Sequence, residues 1–283
     1  MAQNLQLLKR RIKTSKNIAQ IAKALEMIAA SKIKKAQKAA NGNRPYAERV
    51  SQVTEGILSS IDRKKFSHPY LTESKNPKTL LIAISPDRGL CGSLNTNLYK
   101  KLMEVDSADI KVVTVGKKIG LFASKLKCEL LSSYPMGSTL PDFSLVYQLK
   151  TLVDEEYSSG NVGNVQILYA ESTSLFIQTP IVKTLLPFTF EINNDDARTN
   201  DTSIFEPDKE AILQDLLPYY LEIQLFNALL QAFTSEQAAQ MIAMQNAKNN
   251  ARDIAEYLNL VYNKSRQERI TNEILDLSNS SQI

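Results

Sequence analysis

Residues 244–261 read MQNAKNNARDIAEYLNLV, and their pattern decides the fold class. Apolar side chains recur there at alternating steps of three and four residues, which is the spacing of a coiled-coil seam. The members of this seam are Met244, Ala247, Ala251, Ile254, Leu258 and Val261. The surrounding segment, 207–277, is predicted to be helical, with Pro207 in its first turn and a kink or a new helix at Pro218. Beyond Val261 the stripe turns polar and then resumes at Ile270, Ile274 and Leu277.

A second seam lies near the start of the chain, in one long helix predicted for 3–57. Leu5, Leu8 and Ile12 form its first part, and the pattern returns after a slip of about one residue. After the slip its members are Ile18, Ile21, Leu25 and Ile28. A kink or short break is predicted at Asn41-Gly42 and at the Arg44-Pro45 step.

Alanines recur along both predicted seams: Ala19, Ala22 and Ala29 on the first helix, and Ala247 and Ala251 on the last. Small side chains allow helix axes to approach closely. The stretch up to Asn41 alone would be roughly 60 Å long, at about 1.5 Å per residue. A helix of that length needs a packing partner of its own, since most helical stability comes from tertiary packing. We therefore expect the first and last helices to pair in antiparallel orientation.

The middle of the chain alternates short apolar runs with helical patterns. Strands are predicted at 79–85, 110–115, 165–170 and 176–185, and helices at 93–105, 117–126 and 142–157. Such alternation predicts a mostly parallel, Rossmann-like α/β sheet, and Pro180 makes the last strand an antiparallel edge strand. The predicted fold is therefore α/β plus a long antiparallel coiled coil. Segments 1–57 and 207–283 form the coiled coil, 76–200 forms the α/β domain, and 193–202 is a loop.

The distribution of charge and the number of cysteines limit the classes of function that this chain can have. The net charge of the 283 residues is +4, and between residues 1 and 40 ten Lys and Arg face a single Glu. Such a block is either a solvated helix face or a surface for an acidic protein, nucleic acid or anionic lipid. Cys91 and Cys128 fit neither a disulfide framework nor a zinc site. No apolar run reaches the roughly 20 residues that span a bilayer, and the start lacks a signal-peptide core.

The candidate chemistry centres on residues 87–95, DRGLCGSLN, between a predicted strand and a predicted helix. A glycine loop in that position can cradle phosphate on backbone N–H groups. However, the loop matches neither the phosphate-loop pattern nor GxGxxG. Cys91 lacks a neighbouring base, because the single histidine, His68, lies in the turn-like His68-Pro69 step. A nucleotide-binding enzyme and a basic nucleic-acid-binding coiled coil therefore remain as alternatives, although the basic segment lacks aromatics for base stacking.

Several motifs along the whole chain resemble the gamma subunit of F-type ATP synthases, in its bacterial form. These are IAKALEMIAASK at 21–32, RPY at 44–46, HPYL at 68–71, DRGLCG at 87–92, SEQAA at 235–239, YNKSRQ at 262–267 and ITNE at 270–273. The resemblance implies a rotating central stalk that carries no cofactor and is not itself the catalyst. Its implied partners are three alpha and three beta subunits per gamma, the epsilon subunit and the membrane-embedded c ring, with no nucleic acid. Its implied location is peripheral, on the cytoplasmic face of the bacterial inner membrane.

The resemblance also implies which residues meet the partners. Those implied to contact beta are Lys9, Lys13, Lys16, Lys23, Leu25, Lys32, Gln240, Arg266, Gln267, Thr271 and Glu273. Those implied to lie near the membrane ring and epsilon are Arg44, Tyr46, Phe205 and Glu206. The chain departs from the family pattern at Leu25 (usually Met), Gln240 (often Arg) and Asn272 (commonly Gln). It also lacks the inserted cysteine pair of light-regulated chloroplast forms, so no thiol switch is expected.

Overall fold

The structure, a computed structural model, describes residues 2–61, 66–72, 74, 76–105, 109–126, 128–189, 206 and 208–280, with no side-chain description at 2, 3 and 276–280. Its helices are α1 (Ala2–Ser60), α2 (Leu94–Glu104), α3 (Lys117–Ala123), α4 (Phe143–Ser158) and α5 (Lys209–Ser280). Its strands are β1 (Thr79–Ile84), β2 (Ile110–Val115), β3 (Glu129–Tyr134), β4 (Asn164–Ser172) and β5 (Gln178–Leu186), and a 3₁₀ turn covers Pro69–Leu71. The chain divides into two compact units. The coiled-coil unit comprises 1–30 and 240–283, and the sheet unit comprises 31–239.

The five strands form one sheet in the order β3-β2-β1-β4-β5. Neighbouring strands are parallel except for β4 and β5, which are antiparallel. The predicted Rossmann-like sheet is thus confirmed, and so is the antiparallel edge strand, in which Pro180 pairs with Ala170. Strand β3 was not predicted, because its sequence ELLSSY is half polar and only partly buried at the opposite edge. Helix α3 ends at Ala123, three residues before its predicted end.

Both faces of the sheet are covered, as a parallel sheet requires. On one face Leu80, Ile82 and Ile84 join a cluster that includes buried side chains of α1, α4 and α5. On the other face Leu81 and Ala83 pack with buried residues of α2 and α3. Since β1 contributes to both clusters, its five residues from Leu80 to Ile84 are all buried. Because β1 packs on both of its faces, its residues form the continuous apolar run that predicted this strand.

Both long helices run unbroken through their prolines. Helix α1 continues through Asn41, Gly42 and Pro45, so the predicted break is wrong. Pro45 lies on the exposed face of α1, where water can satisfy the carbonyl that loses its N–H partner. Helix α5 also continues through Pro218, so no new helix starts there. It begins after Asp208, whose carboxylate accepts a hydrogen bond from the Ala211 N–H at 2.7 Å, in the manner of an N-cap.

The coiled-coil unit is antiparallel, as predicted. The Lys248 ammonium of α5 lies 2.7 Å from a carboxylate oxygen of Glu26 of α1. Further along the pair, residues 10–15 of α1 share a groove with residues 254–258 of α5. Residue numbers therefore fall on one helix as they rise on the other. In the sheet unit the same two helices are also antiparallel, because Lys209 contacts Ser60 and Tyr219 contacts Tyr46.

Among the predicted seam residues, the alanines Ala19, Ala22, Ala29 and Ala251 are buried as predicted, whereas several of the isoleucines are not. On α1 the buried positions stay in one phase and are mostly alanine: Ile12, Ala19, Ala22 and Ala29. Ile18, Ile21 and Ile28 are exposed, so the predicted slip is wrong. On α5, Ala251 and Ala255 are buried while Ile254 is 52% exposed, so that member of the predicted seam is also wrong. Close approach of two helices favours the smaller side chain wherever isoleucine and alanine compete for the interface.

Candidate partner-contact surfaces

Helix α1 presents a row of lysines from the coiled-coil unit. Lys9, Lys13, Lys16 and Lys23 are all exposed, and their spacing of four, three and seven residues places them on one face. Leu25, a further predicted contact, is only partly buried. The structure thus brings the four lysines together in one basic row, and Glu26, the single acidic residue between residues 1 and 40, is paired with Lys248.

A second face of α1 in the same unit is apolar and exposed. Ile18, Ile21 and Ile28 are 49%, 62% and 51% exposed. The spacing of three and seven residues aligns them along the helix, away from the alanine seam. This is the stripe that the sequence assigned to the coiled-coil interface. Contiguous exposed apolar surface is typical of protein–protein interaction sites.

The predicted contacts on the last turns of α5 are also accessible. Arg266, Gln267, Thr271 and Glu273 are exposed, whereas Gln240 is partly buried. Glu273 is paired within the helix, since the Arg269 guanidinium lies 2.7 Å from its carboxylate. The large apolar side chains on the same stretch of α5 are exposed as well: Ile254, Tyr257, Leu260, Ile270, Ile274 and Leu275. The predicted resumption of the seam at Ile270 and Ile274 is therefore wrong, and the side chain of Leu277 lies outside the described residues.

Three of the four residues predicted near the membrane ring are among those that the structure describes, and they lie in two segments of the chain. Arg44 is exposed and paired with Glu48 at 2.6 Å, and Tyr46 packs edge-on against Tyr219. Tyr46 lies 14 residues before the end of α1, which corresponds to about 21 Å along the helix. Glu206 is exposed and lies three residues before Lys209, whose ammonium donates a hydrogen bond to the Ser60 hydroxyl at 3.0 Å. Phe205 lies outside the described residues.

The loop that follows β1 holds two turns together at the carboxyl edge of the sheet. One carboxylate oxygen of Asp87 accepts hydrogen bonds from the Lys117 N–H at 2.9 Å and the Met136 N–H at 3.2 Å. Its other oxygen accepts from the Gly137 N–H at 2.9 Å. The turn at Gly116 fits because a β-carbon there would collide with the carbonyl of Ser85. This loop is a structural clamp on the turns that follow β2 and β3.

The same loop is a poor phosphate site. The edge where parallel α/β sheets bind nucleotides offers backbone N–H groups for phosphate, but here Asp87 occupies those of Lys117, Met136 and Gly137. A second carboxyl group, that of Glu236 on α5, lies close to Asp87. The Asp87 carboxylate, which already accepts these hydrogen bonds, opposes an incoming anion. The geometry therefore gives the nucleotide-binding alternative no support.

The candidate nucleophile and the single histidine have structural roles. Cys91 is buried, and burial, together with the nearby Glu236, raises the pKa of its thiol. The Asn95 amide donates a hydrogen bond to its sulfur at 3.3 Å. The imidazole Nδ1 of His68 accepts from the Tyr70 N–H at 3.1 Å and so caps the 3₁₀ turn, while burial lowers the pKa of His68. Within the described residues no group of His, Cys, Asp and Glu is arranged to hold a metal ion.

One contact at the sheet edge escaped sequence reasoning. The hydroxyl of Ser235 on α5 is buried and donates a hydrogen bond to the carbonyl of Ala170 on β4 at 2.7 Å. This bond ties the long helix directly to the backbone of the sheet. The available signal was the polar pair Ser235-Glu236 within an apolar helix, which predicts buried polar partners.

Known proteins that match this chain agree on one family. A family model described as ATP synthase matches residues 4–282. A protein of Dehalococcoides mccartyi (strain BAV1) named ATP synthase gamma chain is 36% identical over 278 residues, covering 97% of this chain and 96% of the relative. A protein of Glaesserella parasuis with the same name is 37% identical over 277 residues and covers 94% of each chain.

The chain belongs to the ATP synthase gamma-chain family. Solved structures agree with this fold: a chain from the central stalk and c ring of the Tetrahymena thermophila mitochondrial ATP synthase superposes with a TM-score of 0.62, at 25% identity over 80% of this chain and 99% of that one. A chain of the Euglena gracilis mitochondrial ATP synthase, in its OSCP/F1/c-ring structure, gives a TM-score of 0.71 at 19% identity, over 100% of this chain and 95% of that one. None of the gamma-chain helices that the structure describes combines the length and apolarity needed to cross a bilayer.

Proposed function

We propose that this chain is the rotor of a proton-driven ATP synthase and is not itself the catalyst. It transmits rotation of the membrane ring to the catalytic beta subunits, which change conformation in turn and make or hydrolyse ATP. The observation that carries the proposal is an exposed isoleucine stripe on one face and a lysine row on another face of a helix whose own seam is filled mostly by alanines. The helix pair holds itself together with small side chains and leaves its large apolar side chains for another surface.

The alanine seam suits a shaft that carries torque. Ala19, Ala22 and Ala29 bring the helix axes close, and close packing resists the sliding of one helix past another. The ion pair between Glu26 and Lys248 fixes the register of the two helices. The exposed lysines suit a bearing because solvent-exposed ion pairs contribute only about 0–1 kcal/mol each. Such contacts form and break as the shaft turns without trapping it at one angle.

The partners follow from the same proposal. One copy of this chain lies within a ring of three alpha and three beta subunits, and the α/β domain at 76–200 offers surfaces to epsilon and to the c ring. The complex is attached peripherally to the cytoplasmic face of a bacterial inner membrane. The contacts with beta are the basic row Lys9, Lys13, Lys16 and Lys23, with Leu25, Lys32, Gln240, Arg266, Gln267, Thr271 and Glu273. The contacts towards the ring and epsilon are Arg44, Tyr46, Phe205 and Glu206.

Reconstitution with separately purified alpha and beta subunits tests this function. We expect a single complex of about seven chains that contains one copy of this chain, weighed by light scattering after gel filtration. The complex should hydrolyse ATP faster than alpha and beta alone, and a bead attached to this chain should rotate. If the chain elutes alone and leaves the ATPase of its partners unchanged, the rotor proposal is wrong.

A further inference from the structure

Helices α2 and α3 lie side by side on one face of the sheet and leave an apolar surface open to solvent. Met103 of α2 is 59% exposed, and Leu121 of α3 is 65% exposed. Between the helices the rings of Tyr99 and Phe122 stack, with centroids 4.3 Å apart and planes 11° from parallel. Met103 lies one turn after Tyr99 and Leu121 adjoins Phe122, so the two exposed side chains belong to one continuous surface.

Lysines border this apolar surface on both helices. Lys100 lies three residues before Met103, and Lys118 lies three residues before Leu121, so each lysine is on the same side of its helix as the apolar residue. Lys125 lies in the turn that follows α3, four residues after Leu121, and all three lysines are exposed. The three lysines and the four apolar residues together form what we call the basic apolar patch, which comprises Tyr99, Lys100, Met103, Lys118, Leu121, Phe122 and Lys125.

The charge around the patch is strongly one-sided. Residues 94–105 and 117–126 contain five lysines and one acidic residue, Glu104. Glu104 is paired with Lys101, whose ammonium lies 2.7 Å from its carboxylate. The three lysines of the patch therefore present positive charge next to exposed apolar side chains.

This chemistry fits an anionic membrane surface better than an acidic protein or a nucleic acid. The cations are all lysines, and a lysine ammonium is a compact charge without fixed geometry, whereas arginine is the residue that recognises single carboxylates with paired hydrogen bonds. The two aromatic rings stack on each other, so they do not form an open platform for bases. A layer of lipid headgroups combines diffuse negative charge with an apolar layer just below it, and the patch matches both.

We propose that the basic apolar patch binds the surface of an anionic lipid bilayer. Met103 and Leu121 insert at the level of the headgroups, and the three lysines lie against the lipid phosphates. Each lysine near such a surface increases binding about fivefold, so the three together contribute roughly a hundredfold. This contact goes beyond the attachment through the c ring. It is a property of the chain alone and does not rest on the proposed rotor function, which the reconstitution tests separately.

Co-sedimentation of the full chain with lipid vesicles measures this binding. We would compare vesicles of phosphatidylcholine alone with vesicles in which about a third of the lipid is phosphatidylglycerol. The chain should sediment with the anionic vesicles but not with the neutral ones, and added salt should weaken the binding because it screens the lysines. A chain that binds neither kind of vesicle overturns the proposal and assigns the patch to an acidic protein.

Two triple variants locate the binding face. The first removes the lysines of the patch and should lower the partition into anionic vesicles roughly a hundredfold: Lys100→Gln, Lys118→Gln and Lys125→Gln. The matched control removes the same charge from exposed positions of α1: Lys34→Gln, Lys35→Gln and Lys38→Gln. Because α1 packs on the opposite face of the sheet, the control should stay within about threefold of the unaltered chain at 0.1 M salt, where the Debye length is about 10 Å. Equal losses in both variants overturn the proposal.

A single tryptophan shows which part of the chain enters the bilayer. The sequence has none, so Leu121→Trp reports from the patch, while Phe176→Trp reports from the connection between β4 and β5, where Phe176 is 75% exposed. Both replace exposed side chains and should change stability little. With anionic vesicles the emission of Leu121→Trp should move to shorter wavelength, because tryptophan settles at the membrane–water interface, and that of Phe176→Trp should stay unchanged. A shift confined to Phe176→Trp, or absent from both, overturns the proposal.

Discussion

Glu26 of α1 and Lys248 of α5 form a 2.7 Å ion pair across the coiled-coil unit, with side chains only 22% and 16% exposed. Removal of one partner leaves a partly buried charge uncompensated, so Lys248→Met should lower the free energy of unfolding by about 1–3 kcal/mol. The double variant Glu26→Gln with Lys248→Met should recover part of this loss. Urea denaturation of both single variants and the double variant measures the coupling energy. If the loss of stability in the double variant equals the sum of the losses in the two single variants, the pair does not stabilise the register.

The alanine seam predicts a strong asymmetry between adjacent positions of α1. Ala22 is 4% exposed and leaves no room for a larger side chain, so Ala22→Leu should lower the free energy of unfolding by about 1–3 kcal/mol through overpacking. Ala24 is exposed two residues later, and Ala24→Leu should change stability by less than about 0.5 kcal/mol. Thermal unfolding followed by circular dichroism compares them. Equal effects at both positions would contradict the assigned seam.

The sequence predicted most of the sheet because its signals are local. The apolar runs at β1, β2 and β4 are buried on both faces, and that burial leaves a continuous pattern that few other structures produce. Strand β3 was missed since an edge strand buries little and its polar Ser132 and Ser133 weaken the pattern. The edge assignment of β5 succeeded because proline tolerates few positions within a sheet.

The sequence left the phase of the seam ambiguous because two stripes on α1 satisfy the same spacing rule. One contains Ile18, Ile21 and Ile28, and the other contains Ala19, Ala22 and Ala29. Hydrophobicity favours the first stripe, whereas the distance between the helix axes, which no local pattern encodes, favours the second. The environment of Glu236 could not be predicted from the sequence either, because its neighbours Arg88 and Lys32 lie far from it along the chain. Motifs along the whole chain were enough to predict the family, whereas the exposed surfaces became visible only from the contacts in the structure.

The exposed isoleucine stripe predicts a variant that separates stability from assembly. Ile21 is 62% exposed, so Ile21→Gln should change the free energy of unfolding of the isolated chain by less than about 0.5 kcal/mol. Its affinity for the ring of alpha and beta subunits should nevertheless fall about ten- to a hundredfold, because burial of that side chain against a partner contributes about 1.5–3 kcal/mol. Titration of labelled chain into alpha and beta subunits gives the affinity. The matched substitution Gln20→Asn, at a neighbouring exposed position, should leave it unchanged.

The stability of the sheet unit should fall as pH rises through a defined window, because of Glu236. Its pKa is raised from 4.5 to about 7 in the folded chain, so the folded state binds more protons than the unfolded state between these values. The stabilising contribution is complete below pH 4.5 and is lost as pH approaches 7, a change on the order of 2–3 kcal/mol. Glu236→Gln cannot ionise, so the difference in unfolding free energy between the two chains isolates this group from all other carboxyls. Urea midpoints at pH 4.5, 6 and 7.5 measure it, with the exposed Glu256→Gln as the matched control. A difference that is independent of pH would show that the Glu236 carboxyl is solvated in the folded chain, with no preference for its neutral form.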